Sequence, residues 1–287
     1  MRTLVLGLAF VCLQISVSAA SELTGTLKRI DDTGQMNLGF RESEPPMSFR
    51  DQFGNPVGYS IDLCDHIVAA VKQKLGRSDI TVNYVPVTAE NRFTSIESAS
   101  IDILCGATTK TLGRSERVGF TQLTFVTGAS LLSMNDAKVP NVLGLKGKRV
   151  AVVSNTTTIE VLKGALNDML VDAEVVPVSS ATEGMALLDK GEVDAFSSDQ
   201  IVLIGQIIIR KNSEKKYFLS KELFSFEPFA LAVRRGDVDF QLVSDRALSQ
   251  LNRSGQIVAI YRKWFGLIAE KPPIALRALY QLNATPE

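Results

Sequence analysis

The sequence predicts an α/β protein built as two lobes around a cleft. Three observations carry this. Strand-like and helix-like segments alternate along most of the chain, as parallel sheets covered by helices require. The alternation breaks at a polar stretch, NDAKVPNVLGLKGK, and then begins afresh. Finally, two late helices follow the strand FALAV with no strand partners of their own, so the economical path returns the chain to the first lobe.

In order, MNLGF (36–40) reads as a strand and opens onto RESEPPMSF. IDLCDHIVAAVKQKL (61–75) sets Ile61, Cys64, Ile67, Val68 and Val71 on one helical stripe. ITVNYVPV (80–87) alternates as a strand, AENRFTSIESA (89–99) is a short helix, and IDILCG (101–106) is a strand again. GASLLSM (128–134) precedes the break. After it come strand RVAVVS (149–154), helix TTTIEVLKGALNDML (156–170), strand AEVVPV (173–178) and helix ATEGMALLDKG (181–191). Strand VDAFSSD (193–199) and helix QIVLIGQIIIRK (200–211) complete the second block. Strand 229–233 and helices 237–255 and 256–266 close the chain. The expected lobes are 28–127 with 231–287, and 128–230. Helix–turn–strand passages in the two blocks look alike, which we read as shared α/β grammar rather than a repeat.

The N-terminus has a different character. Arg2 is followed by the apolar run LVLGLAFVCLQISVSA and by small residues in SVSAAS, the form of a secretory signal peptide over 1–20, cut after Ala20. A membrane anchor needs about 20 apolar residues and stronger flanks. Cys12 follows Val11 inside the apolar run, which does not suit lipid attachment. About 267 residues of the 287 then remain, enough for one or two domains. Hydrophobic residues make up 45%, ample for a packed core, and the net charge is +0 with the two signs interspersed. That pattern opposes a nucleic-acid partner. One histidine, His66, and two cysteines past the leader exclude a Cys/His zinc site, so no metal or cofactor is expected. Export permits a disulfide between Cys64 and Cys105. The helix bearing Cys64 can cover the strand ending at Cys105, so we expect the bond over two free buried thiols.

The strand ends are chemically loaded. LCGATTKTLGRSERV (104–118) passes from an apolar strand into Thr108, Thr109, Thr111 and Arg114. Hydroxyls, backbone N–H groups at a helix N-terminus and a guanidinium suit a carboxylate. The plainer alternative is that Thr111 caps the helix and Arg114 lies on its wet face. Elsewhere Phe40 is followed by Arg41, Val87 by a segment reaching Arg92, Val153 by Ser154 to Thr158, and Phe196 by Ser197, Ser198 and Asp199. Ligands of open α/β sheets bind at such ends. Three arginines and one aspartate among hydroxyls suit a zwitterion carrying an extra negative group.

Taken as an ordered set, GYSIDLC, VTAENRF, DILCGATTKTLGRSERVGFT, FVTGASLL, LKGKRVAVVSNTTT and YRKWF resemble the periplasmic amino-acid-binding proteins of ABC transporters, especially the glutamate/aspartate-binding branch. The resemblance runs from about Leu38 to Phe265. It implies a type II periplasmic binding fold: two lobes, a ligand cleft and two crossover segments. It implies that Arg114 with Thr108 and Thr109 holds an α-carboxylate, and that Asp199 receives an α-ammonium. Arg41 and Arg92 would face a side-chain carboxylate, and Ser154 and Thr157 would supply contacts from the second lobe. Ala89 and Ala107 replace serines of that branch and Ala181 a histidine, which leaves a roomier pocket. The expected function is that of a periplasmic monomer that delivers glutamate, aspartate or their amides to an inner-membrane ABC permease. The alternatives are a dehydratase on the same fold, with Glu160 or Glu183 as acid/base by residue type, and a sensor domain, which would need a transmembrane helix that the sequence to Glu287 does not show.

Overall fold

The computed structural model describes residues 22–212 and 214–287, so the predicted signal peptide lies outside the described residues. The first block comprises α1 (Gly25–Thr33), β1 (Gln35–Phe40), β2 (Ser43–Glu44), β3 (Ser48–Arg50), β4 (Pro56–Val57) and α2 (Tyr59–Leu75). It continues with β5 (Thr81–Pro86), α3 (Arg92–Glu97), β6 (Ile103–Cys105), α4 (Leu112–Ser115) and β7 (Val118–Thr127). The second block holds β8 (Ala129–Met134), β9 (Arg149–Val153), α5 (Thr157–Asp168), β10 (Glu174–Val178) and α6 (Ala181–Lys190). It ends with β11 (Ala195–Asp199), α7 (Gln200–Ile209) and β12 (Tyr217–Leu219). β13 (Glu227–Arg234), α8 (Val238–Arg253), α9 (Gln256–Phe265) and α10 (Ile274–Leu282) follow.

Two five-stranded sheets result, in the orders β5-β1-β6-β13-β7 and β10-β9-β11-β8-β12. β1 runs parallel to β5 and β6, and β9 parallel to β10 and β11. The C-terminal ends of these parallel strands deliver Arg41, Gly106, Ser154 and Asp199. A meander, β2-β3-β4, projects after β1. The chain passes between sheets at Gly128, and again between Leu219 and Glu227. β13 pairs with β7 from Glu227 onward, so the return precedes position 231 by a few residues.

Each sheet is covered on both faces, and period-two alternation distributes its residues. In the first sheet Ile103, Cys105, Leu231 and Val233 join the core under α2 and α8, while Leu104, Ala230 and Ala232 pack with Phe93 and Ile96 of α3. In the second, Leu132, Ala151 and Phe196 face α6, while Leu131, Val150 and Ala195 face α5. The predicted stripe of α2 is buried throughout: Ile61, Cys64, Ile67, Val68 and Val71. Gly76, at φ 65°, ends that helix in the left-handed region. The Cys64–Cys105 disulfide joins α2 to β6, with Cα atoms 6.3 Å apart.

Sequence periodicity did not expose β7, whose run VGFTQLTFVT mixes Thr and Gln with aromatics. The polar members are spent within the fold: the N–H of Gln122 donates to Asp245 Oδ1 (2.7 Å), and Thr121 Oγ1 accepts from the N–H of Leu231 (3.2 Å). The late helices do return to the first sheet, with α8 lying against α2. No helix among the described residues is long and apolar enough to cross a membrane.

Candidate functional site

One enclosed space between the sheets is lined by Arg41, Glu44, Arg92, Thr109 and Arg114, with Thr156 to Thr158, Ser197, Ser198 and Asp199 across from them. The first lobe contributes the guanidiniums. Arg41 leaves the end of β1 and pairs with Glu44 (Nη1 to Oε1, 2.9 Å). Glu44 also accepts weakly from the N–H of Ala107 (3.4 Å). Arg92 opens α3 and is buried; its guanidinium lies 4.5 Å from the centre of the Phe93 ring. It donates to the carbonyl of Ala89 in its own lobe and, through Nη2, to the carbonyl of Asn155 in the other (2.8 Å). Arg114 sits in the short helix α4. Its N–H donates to Thr111 Oγ1 (3.1 Å), so Thr111 is indeed a cap. The side chain nevertheless turns inward, donating to the carbonyl of Thr109 (2.8 Å). Among the described residues no carboxylate forms an ion pair with Arg92 or Arg114; Glu97, at the end of α3, pairs with Arg117.

Asp199 stands at the N-cap position of α7 but makes no capping hydrogen bond. Its Oδ1 is buried without a partner. Burial pushes its carboxyl well above the ordinary 3.8; Glu227 and Glu44 add to that, and Arg114 opposes it. Burial first, then the charges of Arg41 and Arg114, bring the Arg92 guanidinium down to about 9. Arg114 is also lowered by burial, against the pull of Glu227, Asp199 and Glu44. The space therefore holds charge of both signs that the protein leaves incompletely neutralised. An α-amino acid supplies both missing partners.

Glu227 escaped the sequence reading. It lies at the start of β13, buried to 1% exposure. Its Oε2 accepts from Thr109 Oγ1 (2.6 Å) and Thr157 Oγ1 (2.8 Å), and its Oε1 from Ser225 Oγ (2.7 Å). A carboxylate offers acceptors only, so both threonines give it their single hydroxyl proton. Neither hydroxyl then has a proton left for a second acceptor. Neither SFEP nor RESEPP has a periodicity that marks Glu227 or Glu44 as buried.

Other predicted residues fall elsewhere. Ser154 lines a neighbouring open hollow with Thr88, Asn155 and Ser180, and its N–H is spent on the carbonyl of Val178 (2.9 Å). Thr108 is buried beside the site; its carbonyl accepts from the N–H of Ala230 (3.0 Å). Ala107 and Ala181 line the space itself.

The sequence profile of the bacterial extracellular solute-binding proteins, family 3, matches residues 36–267. The chain belongs to this family. Among curated members of family 3, the L-glutamate/L-aspartate-binding protein of Pseudomonas aeruginosa is 34% identical, over 86% of this chain and 82% of its own. The glutamate/aspartate import solute-binding protein of Escherichia coli is 31% identical, again over 86% of this chain and 82% of its own. Among solved structures, an ancestral arginine-binding protein bound to glutamine superposes with a TM-score of 0.71 at 28% identity, covering 81% of this chain and 98% of that one. The type II periplasmic binding fold expected from the sequence is thus the fold of this family 3 protein.

Proposed function

We propose that this solute-binding protein captures an acidic amino acid, glutamate or aspartate, between its lobes and hands it to an ABC transporter permease. In this reading it acts as a monomer in the periplasm after losing residues 1–20. Lobe 1 is formed by 28–127 with the chain from Glu227 onward, and lobe 2 by 128 up to the return crossing before Glu227. The relatives named for glutamate and aspartate support the substrate class. The observation that carries it is the partnerless Oδ1 of Asp199 in the same enclosed space as two arginines that no carboxylate pairs. Asp199 takes the ammonium, Arg114 the α-carboxylate and Arg92 the side-chain carboxylate. Arg41, already paired with Glu44, contributes field more than a contact. Neither Glu160 nor Glu183, the acid/base candidates of the dehydratase alternative, lines this space; both are exposed, and Glu183 accepts from Ser179.

Titration calorimetry with glutamate, aspartate, glutamine, asparagine, leucine and lysine tests the reading, with the recovered ligand checked for turnover. A micromolar dissociation constant, about −8 kcal/mol, is within reach of a few charge-assisted hydrogen bonds after desolvation. Glutamate or aspartate should bind more tightly than leucine or lysine, unconsumed. Arg92→Ala should penalise glutamate more than glutamine. A wild-type preference for leucine or lysine overturns the assignment.

A further inference from the structure

The hydroxyls gathered by Glu227 come from three parts of the chain. Thr109 belongs to the loop after β6 in the first lobe, and Thr157 opens α5 in the second. Ser225 lies in the return crossing itself. Glu227 is two residues further on, where the chain has just joined β7 of the first sheet. A single buried carboxylate therefore ties both lobes to the strand that connects them. The two threonine oxygens also lie 3.3 Å from each other, closing a triangle across the cleft.

We propose that Glu227 is a latch that fastens the closed form of the protein by drawing the lobe 2 hydroxyl of Thr157 to a carboxylate carried by lobe 1 at the hinge. The proposal rests on the reading of the cleft as a ligand site, but the latch acts on closure rather than on ligand identity. Thr109 and Ser225 can keep their bonds to Glu227 when the lobes part, because both approach it from the first lobe or the crossing. Thr157 cannot, since α5 moves with the second lobe. Opening thus leaves one lone pair of a buried carboxylate unserved, and closing serves it again. The latch differs from the Arg92–Asn155 contact, which also spans the lobes. There the donor is one that a ligand carboxylate would compete for. The latch acts instead through a residue that the proposed ligand contacts do not include. It is a positioning residue: it holds the start of α5 against the first lobe through Thr157.

The consequence is kinetic. Encounter takes place with the open form, before the bond exists, so the latch should leave the association rate alone. Release requires the bond to break, so the latch should slow dissociation. A hydrogen bond to a charged group has the strength to change that rate by roughly tenfold or more.

The test is stopped-flow binding of L-glutamate by the wild type, Glu227→Gln, Thr157→Val and the double variant, with L-glutamine and L-arginine run alongside. Glu227→Gln keeps the side chain's shape, and Thr157→Val removes only the hydroxyl on lobe 2, so one of the pair remains informative if the other folds poorly. The expected result is a dissociation rate about tenfold faster in each single variant, with association unchanged within about twofold. The double variant should be no worse than Thr157→Val alone, because Glu227→Gln weakens the one bond that Thr157→Val removes. An unchanged dissociation rate in the single variants, or losses that simply add in the double, overturns the latch. The ratio of variant to wild-type rates should be the same for any of the three ligands that binds. A wild type that prefers arginine to glutamate would sink the acidic-amino-acid reading while leaving that ratio to decide the latch.

Discussion

Asp199 combines a cost in the ligand-free protein with its proposed use as the ammonium's partner. Its carboxyl is raised above the ordinary 3.8 because burial disfavours the charge. The sign follows directly: as pH rises past the ordinary value the unfolded chain ionises freely while the folded one resists, so this group lowers stability at neutral pH. Asp199→Asn should therefore raise the melting temperature of the ligand-free protein while weakening ligand binding, a split that calorimetry with and without glutamate resolves. The same linkage predicts that wild-type affinity rises with pH up to the raised value of the free protein, as the ammonium expels a proton from Asp199, and that the asparagine variant loses this slope. Heats measured in buffers of different ionisation enthalpy would count the proton. Arg114 is the complementary case. Its proposed partner is common to all amino acids, so Arg114→Ala should cost about 3–5 kcal/mol of affinity for every one that binds. Near-native affinity in titration calorimetry would return Arg114 to its plainer role on α4. These residues were legible because arginine and aspartate at strand ends are chemically conspicuous. Glu227 was not, since a glutamate in a crossing segment looks like any solvated charge until its three hydroxyl donors are seen.

Single elements were read well where their apolar residues are periodic, as in α2, and poorly where polar residues are consumed by neighbours, as in β7. α10 shows a related difficulty. It lies past the stretch shared with family 3 and packs on β7, with the Tyr280 and Tyr59 hydroxyls 3.0 Å apart. Its core residues, Leu276, Leu279 and Tyr280, are too few and too close to the chain end to declare a partner. The disulfide belongs to this scale because it pins one helix to one strand. It closes a loop with a sequence separation of 41. In the chain-entropy account such a loop contributes about 4 kcal/mol. Replacing both cysteines with alanine should lower stability in denaturant titration by an amount of that order, and it should leave ligand selectivity intact because neither sulfur lines the cleft. A destabilisation under about 1 kcal/mol would contradict the entropy argument.

At the level of the whole molecule, closure depends on how near the second lobe can come to the first. Gly205 of α7 marks the tightest approach: a Cβ built there would lie 2.0 Å from the carbonyl oxygen of Pro45 on the first lobe. The next residue, Gln206, donates through Nε2 to the carbonyl of Ser43 (2.8 Å). Glycine is required at 205 for contact between lobes, not for its backbone angles. Gly205→Ala should hold the lobes apart, at a cost of about 1–3 kcal/mol as for other overpacked sites. Affinity should fall by roughly five- to 150-fold, since 1.4 kcal/mol is tenfold. Solution scattering of the ligand-saturated variant should show a larger radius of gyration than the wild type. Unchanged affinity and radius would mean that α7 and the Pro45 loop slide past each other without consequence.

Local and alternating order was written in the chain itself: the α/β class, the second start after the break near residue 140, the stripe of α2, the cysteine pair and the charged strand ends. These depend on period and residue type, which a linear reading retains. What emerged from the folded molecule is everything that depends on which groups meet. Arg41 is paired by Glu44 and Arg92 is not. Ser154 and Thr108 stand beside the enclosed space, whereas Ala181 lines it. Glu227 reaches threonines 118 and 70 positions away in sequence. The physical reason is that hydrogen bonds and ion pairs act over a few ångströms in space, while the crossings at 128 and before 227 bring together parts of the chain that no window of sequence spans.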